Sequence, residues 1–341
     1  LSCRIIGKFL HNIIDRAFFY WILGTIIITI SLMIVESLNI FNFQLSIIII
    51  VFIFSLIMFH NLINFKLFKE INKPLVKSRI KKLAIIMIYA GIIALIVLGG
   101  INYPLHFGGD NFRFILGSLK IMEDSQIPYC GPYFPYLPIL YAVSSYLLSI
   151  HPVYLSWIIF ILSYLSYSLG NYNLVYKLYR NDKMAILSAC LSVMPFFSKI
   201  VTPDIRPMTF IWVAFPFSLS IIYSLVDRYH LSRKHTLYAY IFSIPALLMF
   251  IFYFSSEVLP RLNYKPLDKM MTFFVLYLII FLHNKIIFSI DRSFMFSIII
   301  IGMIFLHHAL SIVSLIITYL MIIFLLFGEN IIKIKKIPKN I

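Results

Sequence analysis

The chain has 341 residues, 61% of them apolar, with a mean hydropathy of +0.95 and a formal net charge of +16. Apolar stretches of about 20 residues recur along it, long enough to cross a hydrocarbon core of roughly 30 Å, and this excludes an ordinary water-soluble domain. A positive balance of this size suits nucleic acid in a soluble chain. Here it is read as the Lys and Arg excess of cytoplasmic loops, and no nucleic-acid partner is expected. The fold class expected is an all-α polytopic membrane protein with about ten transmembrane helices, multi-pass in the cell membrane.

In chain order, residues 1–16 form a short basic arm, followed by spans at 17–38 and 45–64 joined by the uncharged turn Asn39–Gln44. The first residue is Leu rather than Met. The first apolar segment is too long for a secretory signal and lacks a small-residue cleavage site, so a retained span is expected. Glu36 falls at its outer end and is expected to reach the headgroups. Lys66–Lys82 carries seven basic residues and one acid and reads as a cytoplasmic loop at anionic headgroups. A third span at 83–102 opens into a long loop, 103–153. Further spans are predicted at 154–176, 184–199, 207–226, 237–255, 269–283, 293–306 and 309–328. The run Phe294–Phe327 exceeds one span, and its only polar pair, His307–His308, marks the turn. The chain thus divides into an N-terminal hairpin with its basic loop, 1–82, and a transmembrane core, 83–341. Cys3, Cys130 and Cys190 fall in three environments, so no disulfide framework is implied.

Orientation follows from counting Lys and Arg. If the apolar piece 137–150 does not cross and the N-terminus is cytoplasmic, 22 of the 29 fall inside and 7 outside. If it crosses, the split is 15 against 14. The first arrangement is preferred, with both termini cytoplasmic and 137–150 a juxtamembrane or re-entrant helix on the external side.

One stretch stands apart, Gly108–Pro138, which contains Asp110, Glu123 and Asp124 and is punctuated by Gly and Pro at both ends. The predicted topology puts Asp110, Asp204, Arg206, Glu257, Arg261, His307 and His308 on the external side together. No phosphate-cradling glycine loop, His-Glu-x-x-His or Cys-x-x-Cys occurs. Each residue also has a plainer role open to it. Asp110 could cap a helix over 111–122, and Asp204 could cap the next span with Arg206 as a headgroup anchor. Glu123 and Asp124 suit a solvated helix end, and Glu257 and Arg261 an interface. The His pair suits a membrane-surface turn. The aromatic cluster at 129–141, Tyr133 included, suits a membrane belt as well as a sugar-stacking platform.

The Gly-Gly-Asp110 sequence just after an outward span, the following PYFPYLPILYAVSSYLL (132–148), and TPDIRPMTFIWVAFPFSLSIIYSL (202–225) together resemble the GT-C class of integral membrane glycosyltransferases. That class includes the oligosaccharyltransferase catalytic subunit and the dolichyl-phosphate-sugar-dependent transferases. The resemblance covers roughly 103–226. It implies that Asp110 is the catalytic or metal-binding acid of the first loop and Asp204 the second acid, with a divalent metal such as Mg or Mn as the cofactor to consider. Asn111 stands where many relatives have a second acid, Asp204-Ile-Arg206 is not a paired-acid motif, and no soluble C-terminal domain follows. Transfer of a single sugar from a polyprenyl-phosphate carrier to a glycan, protein or lipid acceptor is therefore expected over oligosaccharide transfer. In that chemistry a carboxylate near the membrane can take the acceptor's proton. Arg206, Arg261, His307 and His308 are the candidates for the leaving phosphate, Arg suiting it through its two-pronged donor geometry. Two other readings stay open: a transporter or flippase for a lipid-linked precursor, and a non-catalytic or truncated family member.

Overall fold

Helix starts along the chain are set by caps spelled out in the sequence. Asn12 Oδ1 accepts from the Ile14 N–H at 3.1 Å, Asn42 Oδ1 from Leu45 at 3.1 Å, and Asn181 Oδ1 from Lys183 and Met184 at 2.9 and 3.3 Å. Each satisfies a first-turn donor that no intrahelical carbonyl can reach. His151 Nδ1 does the same for Val153, ahead of Pro152, whose fixed φ and missing N–H suit the first helical position. Two helices end on left-handed residues, Ser149 and Arg180, both with φ 54°.

The computed structural model describes residues 10, 12–38, 40–63, 74–100, 109–128, 135–194, 207–226, 266–285 and 288–306. Among these residues the chain is all-helical, with ten helices and no strand. They are α1 (Ile13–Ser37), α2 (Phe43–Ile63), α3 (Pro74–Gly100), α4 (Gly109–Asp124), α5 (Tyr136–Leu148), α6 (Pro152–Tyr179), α7 (Asp182–Ser192), α8 (Pro207–Val226), α9 (Pro266–Lys285) and α10 (Ile290–Leu306).

Two of them, over Ile14–Ser37 and Pro152–Tyr179, are long and apolar enough to cross a membrane. Shorter apolar helical stretches are Phe43–Phe52, Lys82–Leu98, Tyr136–Leu148, Val213–Leu225 and Met270–Lys285. The spans expected at 237–255 and 309–328 lie outside the described residues.

Several bounds differ from expectation for identifiable reasons. The second half of the basic 66–82 segment is helical, because Pro74 starts α3 from within it. The helix within the expected 184–199 span ends at Ser192, three residues before Pro195, whose ring disfavours helical geometry in the residue before it. At 11 residues and about 1.5 Å each, α7 is roughly half a membrane thickness. Conversely, the two short spans predicted at 269–283 and 293–306 lengthen to 20 and 17 residues.

The chain forms two units. One comprises Thr25–Cys130 and Pro135–Val213. In it α3 and α6 run antiparallel, with Ile86 against Tyr172, and α7 turns back along α6 to add Ala185 and Ala189 to the same cluster. Ser168 Oγ donates to the Ala189 carbonyl at 3.0 Å. At one end of this group Lys82 Nζ pairs with Asp182 Oδ2, whose other oxygen accepts from the Tyr172 hydroxyl at 3.0 Å. A second cluster, Leu32, Phe43, Ile47, Ile121, Ile139 and Ala142, joins α1, α2, α4 and α5.

The other unit comprises Leu1–Gly24, Gly131–Phe134 and Ala214–Ile341. Here α1 and α8 are antiparallel: Phe18 stacks on Phe217 at 4.6 Å, and Ser220 Oγ donates to the buried Asp15 at 2.9 Å. Arg292 donates to the Leu225 carbonyl at 3.1 Å, and Asn284 Nδ2 to Ser297 Oγ at 3.1 Å.

The outward faces are as apolar as the inner ones. On α3, Ile86, Ala90, Ala94 and Leu98 are buried while Ile85, Ile88, Ile92, Leu95 and Ile96 are exposed. An apolar face of that extent is a liability in water and fits contact with lipid, where packing rather than apolar burial holds helices together. On α6, Tyr154 and Trp157 are exposed near one end and Tyr179 at the other, as expected for residues at two membrane interfaces.

Candidate functional site

The long loop after α3 folds into α4 and α5. Helix α4 buries Asn111, Phe114, Ile115, Ser118 and Ile121, which recur at helical spacing, and exposes Phe112, Leu116, Lys120 and Glu123. Its approach to α5 is set by Gly117. A Cβ there would lie 3.0 Å from Pro128 Cγ and 3.3 Å from Pro138 Cβ, so any larger residue pushes α5 away. Glu123 and Asp124 form the exposed end of α4, the solvated position expected of them.

Asp110 is the second residue of α4, inside the helix rather than ahead of it, where the positive end of the helix dipole favours a carboxylate. Its neighbour Asn111 is fully buried, and its Oδ1 accepts from the Tyr141 hydroxyl on α5 at 3.1 Å. Asn111 Nδ2 is buried and meets no acceptor.

Helix α5 begins with Tyr136, wholly enclosed and packed edge-on against Phe210 at a centroid distance of 6.0 Å. Burial, with Tyr141 beside it, pushes the Tyr136 phenol well above its ordinary pKa, so the ring stays neutral. Phe210 belongs to the first turn of α8, four residues after Arg206. One 13-residue helix therefore holds the start of α4 through Tyr141 and the start of α8 through Tyr136. The two tyrosines are five residues apart, about 7.5 Å along the axis.

The linker after α4 is tied to the α1–α2 hairpin. Ser125 has φ 51°, a left-handed conformation that turns the chain, and its Oγ accepts from the Phe43 N–H at 3.1 Å. Two residues on, the Ile127 N–H donates to Glu36 Oε1 at 2.9 Å. Glu36 was expected to reach the headgroups; instead it is half-buried and caps this linker.

Of the residues singled out from the sequence, Tyr133, Asp204, Arg206, Glu257, Arg261, His307 and His308 lie outside the described residues. Asn111, Tyr141 and Glu36 are structural partners that sequence reasoning missed. The spacing of Asn111 with Phe114, Ile115 and Ser118 was the available signal that it faces inward; its pairing with Tyr141, 30 residues on, had none.

For a divalent metal, no three His, Cys, Asp or Glu side chains gather among the described residues, and the second acid, Asp204, is not one of these. The residue beside Asp110 is an amide rather than an acid: Asn111 Oδ1 accepts from Tyr141, and its Nδ2 is a donor that a cation cannot use. Comparison with protein families, curated proteins and solved structures finds no match to this chain.

Proposed function

We propose that the chain is a GT-C-like membrane glycosyltransferase of about ten spans, moving a sugar from a polyprenyl (dolichyl) phosphate to an acceptor hydroxyl at the external face. The observation that carries this reading is the bridging helix α5. It packs against the start of α4, where Asp110 sits, and against the first turn of α8, just after the Asp204–Arg206 segment. Two short acidic motifs nearly a hundred residues apart thus open onto helices that share one support.

Contacts within each unit also agree with the orientation read from Lys and Arg. In the first, Lys82 meets Asp182, both assigned to the cytoplasmic side, while Glu36 meets Ile127 and Phe43 meets Ser125, all assigned to the external side. In the second, Leu225 meets Arg292, both assigned to the cytoplasmic side. A 137–150 segment that crossed would break the agreement for Lys82 and Asp182, which lie on either side of it in the chain.

In the reaction the acceptor oxygen attacks the anomeric carbon, and the bond from that carbon to the phosphate oxygen breaks. Polyprenyl phosphate leaves, and the acceptor's proton passes to the Asp110 carboxylate. Asp204 is the second acid of the site. Arg206, Arg261, His307 and His308 are assigned to the phosphate and Tyr133 to sugar stacking. The test is transfer from a radiolabelled dolichyl-phosphate sugar in membranes holding the full chain. Asp110→Asn is expected to lower the rate by about 10²- to 10⁴-fold, the usual contribution of a positioned base. A wild-type rate in Asp110→Asn at equal protein abundance removes Asp110 from the role. Movement of the labelled lipid across the bilayer with no transfer would instead favour a carrier.

A further inference from the structure

A buried amide N–H without an acceptor is unfavourable, so a fold that keeps one has something for it to meet or a packing reason to tolerate it. Asn111 Nδ2 is such a group: the residue is fully buried, in the first turn of a 16-residue helix, and its Nδ2 has no partner. Its orientation is not free. The Tyr141 hydroxyl donates to Oδ1 at 3.1 Å, which sets which end of the amide is the donor. Tyr141 is itself fully buried, and the contact at Gly117 fixes how far α5 stands from α4. The amide is therefore pinned as a donor, one residue from Asp110.

We propose that Asn111 is a sugar-binding residue whose amide donates to a sugar hydroxyl oxygen. The substrate class rests on the transferase reading. The donor geometry does not. A sugar hydroxyl oxygen can accept from the Asn111 N–H through a lone pair. A metal cation cannot accept a hydrogen bond from it.

The replacement Asn111→Leu separates a ligand donor from a packing residue, because it keeps the shape and removes the orphaned donor. The full chain in lipid nanodiscs is melted alone, with dolichyl-phosphate mannose or glucose, and with the free methyl glycosides. Wild type is expected to gain thermal stability with one of these sugars. A gain with the lipid-linked sugars alone assigns the hydroxyl to the donor, and a gain with free glycosides assigns it to the acceptor. Asn111→Leu is expected to melt at or above the wild-type temperature without ligand and to bind the sugar at least about 10-fold more weakly, one hydrogen bond's worth. Tyr141→Phe, which frees the amide to rotate, should weaken binding by a smaller factor. Equal binding by wild type and Asn111→Leu overturns the proposal even if transfer occurs. Absence of any sugar-dependent shift in wild type overturns it too. Sugar binding that depends on Asn111 without transfer in membranes supports the proposal and sinks the transferase reading instead.

Discussion

The Glu36–Ile127 hydrogen bond joins α1 to the linker that leaves α4, and breaking it has a calculable local effect. In Glu36→Ala the Ile127 N–H loses the carboxylate oxygen that accepts from it at 2.9 Å. A hydrogen bond to a charged group contributes about 1.5–3 kcal/mol. Two features reduce that here: the residue is half-buried, and its second oxygen, Oε2, is buried with no partner, so removing the carboxylate also relieves an unsatisfied group. A net loss of about 1.4 kcal/mol follows, which corresponds to roughly a tenfold increase in the local opening equilibrium. Hydrogen exchange at Ile127, followed by mass spectrometry on the chain in nanodiscs, reads this directly. Glu36→Ala should exchange there about ten times faster, and Glu36→Gln, which keeps an acceptor oxygen, less than about threefold faster. Amides in the middle of α6 should not change. An unaltered rate at Ile127 in Glu36→Ala would show that the carboxylate does not hold this linker. A uniform acceleration along the chain would show a general loss of fold rather than an opened latch.

Further substitutions test the packing at two places, the Lys82–Asp182 pair and Gly117. Lys82 and Asp182 are only partly covered, at 33% and 37% exposure, so Lys82→Ala should lower thermal stability by no more than about 1 kcal/mol. Asp182→Ala should cost more, about 1–2 kcal/mol, because Asp182 also accepts from Tyr172 and opens the first turn of α7. Melting curves that rank the two the other way would refute this assignment of the pair. At Gly117, Val should destabilise by about 1–3 kcal/mol, since a Cβ already meets Pro128 and Pro138 at 3.0 and 3.3 Å. Ala should be milder, because its better helix propensity offsets part of the strain by about 1 kcal/mol. A Gly117→Val chain as stable as wild type would mean that α4 and α5 can separate freely.

The helical character and most helix positions were legible because apolar runs, asparagine caps and prolines act locally. Asn42, Asn181 and Pro152 each start a helix, and each is visible as a cap or first-turn residue in the text of the chain. Boundaries failed where a local signal was given too little weight: Pro74 starts α3 inside a basic segment that looks like loop, and Pro195 follows the early end of α7. The role of Glu36 was illegible for a different reason. Position near a membrane interface suggests headgroup contact, but its partner is 91 residues away, and no periodicity links an acid on one helix to a backbone N–H in a later linker. The same holds for Asn111 and Tyr141. Sequence spacing can show that Asn111 faces inward, while the amide's pinned orientation depends on where α5 lies across α4.

That dependence on α5 bears on the least obvious expectation, that 137–150 is apolar yet does not cross. At 13 residues α5 is about 20 Å long, short of the roughly 30 Å hydrocarbon core. Its first turn, Tyr136 to Ile139, is buried on all sides, which is unlike a span that shows one face to lipid. Compare α3, where buried Ile86, Ala90 and Ala94 alternate with exposed Ile85, Ile88 and Ile92. A short helix enclosed by protein can rest at membrane depth without spanning, provided its neighbours cover it and satisfy its ends. Here Ser149 ends it in the left-handed conformation, with its N–H returned to the Ser145 carbonyl, and α6 begins afresh at His151. Through Tyr141 and Tyr136 it supports α4 and the start of α8, and its length and enclosure fit a helix that does not span.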